Sequence, residues 1–349
     1  MKKNILVVDD SALLRRVICD IINSDNNFQA TDYCRDGLEA YERLRKTTYD
    51  GVVLDVNMPR MDGLQLLEQL KKDGIRATVV MVSTLTVRDA EVTIRAMELG
   101  AVDFVTKPGN IIEAKGEDFK RRLLSVLTAV LSSRSYARTP KRPEPKQAPT
   151  RLKATGKNKL VALACSTGGP KALQSVIPFL PRNLNAPMVL VQHMPVGFTK
   201  SMADRLDEIS EIAVKEAEEG DVLEKGHVYI APGGKHMGVA KCPGGVHKIA
   251  LNDMPAIGGL KPCANITYDS LSGTGYDEII CVVLTGMGAD GTNGILSLAQ
   301  HKPVHVIAQN AQTCVVYGMP RAIAETGIVD EVVSLDDVAK TITKNVGVM

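Results

Sequence analysis

Apolar residues in the first third of the chain come in short bursts. ILVVD, FQATDYC, GVVLDV, TVVMVS and VDFVTK (residues 5–9, 28–34, 51–56, 78–83 and 102–107) are rich in β-branched side chains, and each precedes a stretch of helical period. RDAEVTIRAMELG, for instance, sets Ala90, Ile94 and Met97 at helical spacing and stops at Gly100, a residue suited to end a helix. Five strand–helix units with almost continuously apolar strands predict a parallel sheet covered on both faces. In such sheets ligands gather at the carboxyl ends of the strands.

The pattern stops at residues 132–159, which hold four prolines, nine Lys/Arg and one acid, Glu144. Such a segment buries too little apolar surface to fold and reads as an extended basic linker. It divides the chain into expected domains at 1–131 and 160–349. In the second, LVALAC, PMVLVQH, HVYIAP, HKIALND and EIICVVLTG read as strands. KALQSVIPF, TKSMADRLDEI, ADGTNGILSLA and LDDVAKTITKNV read as helices. The expectation is a doubly wound α/β sheet of mostly parallel strands, with a small antiparallel part around residues 227–251.

Composition changes this picture mainly by exclusion. With 349 residues, 44% of them hydrophobic and 23% charged, the chain has the make-up of a soluble two-domain protein. No apolar run approaches the ~18 residues of a membrane span. The start, MKKNILVVDD, resembles a signal peptide only until Asp9 and Asp10 end its apolar stretch. Trp is absent and aromatics are few, which disfavours stacking platforms for single-stranded nucleic acid. Seven cysteines without C-x-x-C spacing fit buried thiols in a reducing cytosol rather than disulfides or zinc. Residues 160–349 carry 14 Lys/Arg against 19 Asp/Glu and show no basic helix-turn-helix, so DNA binding is not expected.

Chemistry collects at the strand ends of the first domain. Asp9 and Asp10 end the first strand, Asp55 the third, Ser83 and Thr84 the fourth, and Lys107 follows the fifth. Any one acid here would pass as a surface residue. Three converging carboxylates repel one another and call for a hard cation such as Mg²⁺. A carboxylate beside such a cation can accept a phosphoryl group. VVDDSALLRRV, LDVNMPRMDGLQLL, MVSTLT and GAVDFVTKP occur in the order found in response-regulator receiver domains, which residues 1–131 resemble throughout. The resemblance implies a flavodoxin-like (βα)5 fold and phosphorylation of Asp55 by a histidine kinase. It also implies Mg²⁺ held by Asp10, Asp55 and the Asn57 carbonyl with support from Asp9. Ser83 and Lys107 would contact the phosphoryl group, and Phe104 would be the aromatic that shifts on activation.

In the second domain VALACSTGGP runs from an apolar strand into a small-residue turn, for which three uses are open. A phosphate cradle would need G-x-x-x-x-G-K-[ST] or G-x-G-x-x-G, and neither spacing is present. Ser166 could cap the following helix, or it could be a nucleophile. The last demands a base, an orienting acid and an oxyanion hole. His193 follows PMVLVQ at another strand end, with His236 as runner-up and His227 and His301 assigned to the far edge because each opens its element. Asp290 in LTGMGADG follows a third strand and opens a helix. Taken singly, His193 could be a core imidazole and Asp290 a helix cap. Ala164 and Gly168 flank the serine as small residues, as a nucleophile elbow requires.

STGGP, VQHMP, GHVYIAPGGKHM and LTGMGADG appear in the order of the chemotaxis protein-glutamate methylesterase (CheB) family, which the chain resembles over essentially its whole length. The resemblance implies Ser166 as nucleophile, His193 as base, Asp290 as orienting acid and the Met287 N–H as oxyanion donor. Thr167 would help shape the site. It further implies a cytoplasmic enzyme that demethylates, and deamidates, side chains of chemoreceptors, with the receiver regulating access to the crevice and no cofactor for the hydrolysis. A phosphorylation-dependent adaptor and a hydrolase of another acyl substrate are the competing readings. Two departures stand out: Ala164-Cys165 where Gly-Ala is common, and KPCANITYDS where Pro-Ser-Val-Asp-Val-Leu is usual, which puts Asn265 in place of Asp. Neither is expected to touch the triad.

Overall fold

In a computed structural model, which describes residues 2–132 and 157–349, the chain divides into two compact units, Met1–Arg134 and Ser135–Met349. The expected linker lies outside the described residues except at its ends.

The first unit alternates β1 (Lys3–Val8), α1 (Ala12–Asn23), β2 (Phe28–Cys34), α2 (Gly37–Leu44), β3 (Gly51–Asp55), α3 (Gly63–Lys72), β4 (Val79–Ser83), α4 (Val87–Glu98) and β5 (Asp103–Thr106), then the short α5 (Ile111–Ala114) and α6 (Glu117–Ser132). All five strands are parallel, in the order β2-β1-β3-β4-β5. β1, β3 and β4 are central, and their apolar residues are buried because helices cover both faces. The predicted receiver architecture is the one observed.

The second unit runs β6 (Lys159–Cys165), α7 (Gly169–Gln174), β7 (Met188–Gln192), α8 (Phe198–Glu208), β8 (Ala213–Glu216), β9 (His227–Ile230), β10 (His236–Lys241), β11 (His247–Asn252), α9 (Ala264–Ser270), β12 (Glu278–Val283), α10 (Thr292–His301), β13 (Val304–Gln309), α11 (Met319–Ala324), β14 (Glu331–Val333) and α12 (Val338–Val346). Seven strands form one parallel sheet ordered β14-β13-β12-β6-β7-β9-β8, beside a separate antiparallel pair, β10–β11. The antiparallel part therefore begins at His236, not His227; β9 runs parallel to β7 and β8. From β6 the strand order grows first toward β7 and later, starting again at β12, in the other direction. By the right-handed rule for parallel crossovers, helices of the two directions belong on opposite faces, and a switch point of this kind makes the carboxyl ends of β6 and β12 the expected place for a crevice. Three of the residues expected to act in hydrolysis follow β6, β7 and β12.

Candidate functional site

The turn after β6 is built by its glycines. Gly168 has φ +75° and is the N-cap of α7, so Ser166 stands two residues before the cap. That corrects the capping alternative: the Ser166 carbonyl accepts from Gly169 N (2.7 Å), while its hydroxyl makes no hydrogen bond among the described residues. Gly169 is needed for a different reason. A Cβ there would lie 1.8 Å from Gln192 Oε1. Gln192, buried at the end of β7, donates through Nε2 to the carbonyls of Ser166 (3.1 Å) and His193 (3.2 Å) and accepts from Cys165 Sγ (3.0 Å). With His193 N donating to Cys165 O (3.3 Å), the serine and histidine turns are stitched side by side at the ends of paired strands.

His193 is half-buried, and its Nε2 lies 2.8 Å from Asp290 Oδ2. Nδ1 makes no hydrogen bond among the described residues, Ser166 Oγ included, and so is the ring nitrogen open to a further partner. Asp290 sits in the loop beyond β12, just before Gly291, the N-cap of α10. Its carboxylate caps another helix instead, accepting from Ala264 N (2.6 Å) and Asn265 N (3.1 Å) at the start of α9, and also from Cys263 Sγ (3.2 Å) and Gly291 N (2.9 Å). Burial alone would raise its pKa, but the hydrogen bonds from His193 and Ala264 outweigh it and hold the carboxyl down at about 2. The acid is therefore ionised at any working pH, as an orienting partner of an imidazole must be.

The loop carrying Met287 passes close to the serine. A Cβ on Gly286 would lie 2.9 Å from Ser166 Cβ and 2.3 Å from Met319 Sδ, so only glycine lets the loop approach. The next N–H, that of Met287, has no acceptor among the described residues. Thr285 fixes the approach by donating from Oγ1 to Thr167 O (2.9 Å) and accepting from Val316 N (2.9 Å). Thr167 itself is buried.

Other histidines are disposed of by their surroundings. His236, the runner-up, is buried with Cys263 N donating to its Nδ1 (3.2 Å) and its Nε2 against Pro255 O (3.2 Å). Neither nitrogen is left for a substrate. His301 closes α10 rather than opening an element. The expectation that the departures miss the triad is corrected as well: Cys263 and Asn265 both bond Asp290, brought there by the packing of α9 beside α10. Nothing local in the sequence marks Gln192, Thr285 or Cys263, because each makes its contacts with residues distant in the chain.

In the first unit Asp9, Asp10 and Asp55 present carboxylate oxygens all within 4.8 Å of one another. Lys107 Nζ reaches Asp9 Oδ2 (3.0 Å) and Asp55 Oδ2 (2.7 Å), and Lys107 N donates to Ser83 O (2.6 Å). Burial pushes the Asp55 carboxyl up to about 6 despite Lys107, with Asp9 adding to the rise. Among the described residues these two buried oxygens meet only the Lys107 ammonium, and three converging carboxylates beside a single cation suit a hard divalent cation. Asn57 Nδ2 donates to Asp89 Oδ1 (2.7 Å), a buried carboxylate that Thr84 Oγ1 also reaches. Phe104 packs, partly buried, on the receiver core.

Residues 161–342 match the family model described as CheB methylesterase, and residues 5–115 that of the response regulator receiver domain. The chain belongs to the CheB methylesterase family. The protein-glutamate methylesterase/protein-glutamine glutaminase of Geobacillus kaustophilus is 41% identical over 98% of each chain. Its namesake in Bacillus subtilis is 39% identical over 97% of each. The crystal structure of the Thermotoga maritima CheB methylesterase catalytic domain is similar with a TM-score of 0.51 and 41% identity, covering 54% of this chain and 98% of that one. Family membership thus joins a receiver to a hydrolase domain, as the order of motifs implied.

Proposed function

We propose that the chain is a receiver-regulated protein-glutamate methylesterase and protein-glutamine glutaminase acting in the cytoplasm on chemoreceptors, with Ser166, His193 and Asp290 as its triad. The observation that carries the reading is an imidazole held by an ionised, five-fold hydrogen-bonded carboxylate beside the serine turn. Ser166 Oγ attacks the γ-carbonyl of a methylated glutamate while His193 takes the hydroxyl proton through Nδ1, its Nε2 being engaged by Asp290. Negative charge developing on the carbonyl oxygen accepts from the Met287 N–H, and Thr167 shapes the turn. Methanol departs with the proton from His193. Water then gives its proton to His193 and cleaves the acyl-enzyme, restoring Ser166 and leaving glutamate. With glutamine as substrate, ammonia leaves by the same route.

For regulation, Asp55 would accept a phosphoryl group from a histidine kinase. Mg²⁺, held by Asp10, Asp55 and the Asn57 carbonyl with support from Asp9, would neutralise charge on the transferring group. Lys107 and Ser83 would contact that group, and Phe104 would respond. No described helix is long and apolar enough to cross a membrane.

Methanol release from methylated receptor membranes tests the hydrolytic reading. Ser166→Ala should lower it by about 1,000-fold or more and abolish labelling by a serine-directed phosphonate. Full activity in Ser166→Ala would overturn the assignment.

A further inference from the structure

Cys263, Ala264 and Asn265, one turn at the start of α9, supply three of the five donors to the Asp290 carboxylate. Asn265 works in both directions. Its N–H donates to Asp290 Oδ1 (3.1 Å), while its own Oδ1 accepts from Gly291 N (3.1 Å) and Gly294 N (2.7 Å) at the start of α10. Asp290 thus caps α9, and Asn265 caps α10. The helices approach closely enough that a Cβ on Gly294 would lie 2.8 Å from the Asn265 backbone. Behind the turn, the Cys263 N–H is held by the buried His236 ring.

We propose that Asn265 and Cys263 are positioning residues of the hydrolytic site, locking α9 to α10 so that Asp290 holds His193 in register with Ser166. This rests on the triad proposed above. An orienting carboxylate at a helix–helix junction is only as fixed as the junction. Without the Asn265 oxygen Gly294 N loses its acceptor and Gly291 N keeps only the Asp290 carboxylate, and without the thiol Oδ1 loses a donor. Displacement of a reacting group by ~1 Å can cost about 100-fold in rate.

The test uses the intact chain, comparing wild type, Asn265→Ala and Asn265→Asp. The readouts are kcat and KM for methanol release from methylated receptor membranes and the rate of phosphonate labelling at Ser166. Asn265→Ala should lower kcat by about 10- to 100-fold with KM within about twofold, and slow labelling to match. Asn265→Asp, which keeps an acceptor, should recover most of the loss. An unchanged kcat in Asn265→Ala, a loss confined to KM, or no rescue by Asp overturns the proposal. Should Asn265→Ala fail to fold by circular dichroism, Cys263→Ala and Cys263→Ser decide: a drop in kcat with Ala and recovery with Ser supports the clamp, and equal values overturn it. A wild-type chain that neither releases methanol nor labels at Ser166 sinks the proposed function itself. A wild type that does both, beside an unaffected Asn265→Ala, sinks only the clamp.

Discussion

Gly169 and Asp290 show how single residues set the site. An alanine at 169 would drive its Cβ into the Gln192 carboxamide that ties the serine turn to the histidine turn. Gly169→Ala should therefore cost about 1–3 kcal/mol, and activity should fall with it. Thermal melts paired with methanol release check both, with a shift of about 2–4 °C expected per kcal/mol. The Asp290 carboxyl, at about 2 in the folded chain, makes a pH prediction. Its stabilisation is fully present above the ordinary aspartate range and is lost as pH falls from about 4 through 2, amounting to about 2 kcal/mol. Asp290→Asn should flatten that part of the acid-unfolding profile, measured by circular dichroism; an unchanged slope would refute it. Ser166 was legible at this scale from its small neighbours and the absence of phosphate-loop spacing. That Gly168 rather than Ser166 caps the helix was not, since the capping position depends on where the backbone turns left-handed.

Among elements, α9 is the one whose importance exceeds its length. Tyr268, fully buried, donates to Ala162 O (3.1 Å) on β6 and shares its hydroxyl with Val282 O (3.3 Å) on β12, planting the helix over the two strands that flank the crevice. Tyr268→Phe removes both contacts while keeping the ring. A loss of about 1 kcal/mol, read as a fall of about 2–4 °C in Tm, is expected. No change in Tm would mean that the ring alone anchors α9. The sequence pattern exposed β6, β7, β9 and β12, whose apolar runs are central in the sheet. β8 and β14 escaped it because edge strands of four and three residues, half exposed, carry no apolar run. β13 carries one, VHVIAQ, and is legible in the same pattern. α9 escaped because ANITYDS is short and β-branched, with little intrinsic helix preference.

For the whole molecule, the prediction concerns coupling between the receiver and the hydrolase. A phosphodonor with Mg²⁺ should raise methanol release by the intact chain, with a coupling of about 1–3 kcal/mol, or roughly 5- to 150-fold. Asp55→Asn should keep basal release and lose the stimulation. Stimulation that survives Asp55→Asn would place the phosphoryl group elsewhere. The order of domains and the residues of both candidate sites follow from motifs that are local in the chain: strand ends bearing Asp9, Asp55, Lys107, Ser166 and His193. Periodicity and turn chemistry act over a few residues, so the sequence alone determined two parallel α/β domains and the residues at their carboxyl edges. Contacts between residues far apart in the chain were settled only by tertiary structure. These include the pairing of His193 with Asp290, 97 positions apart, and the wrapping of that carboxylate by Cys263–Asn265. The reason is physical: which strand ends meet, and which helix caps which, depends on strand order and helix packing that no local pattern encodes.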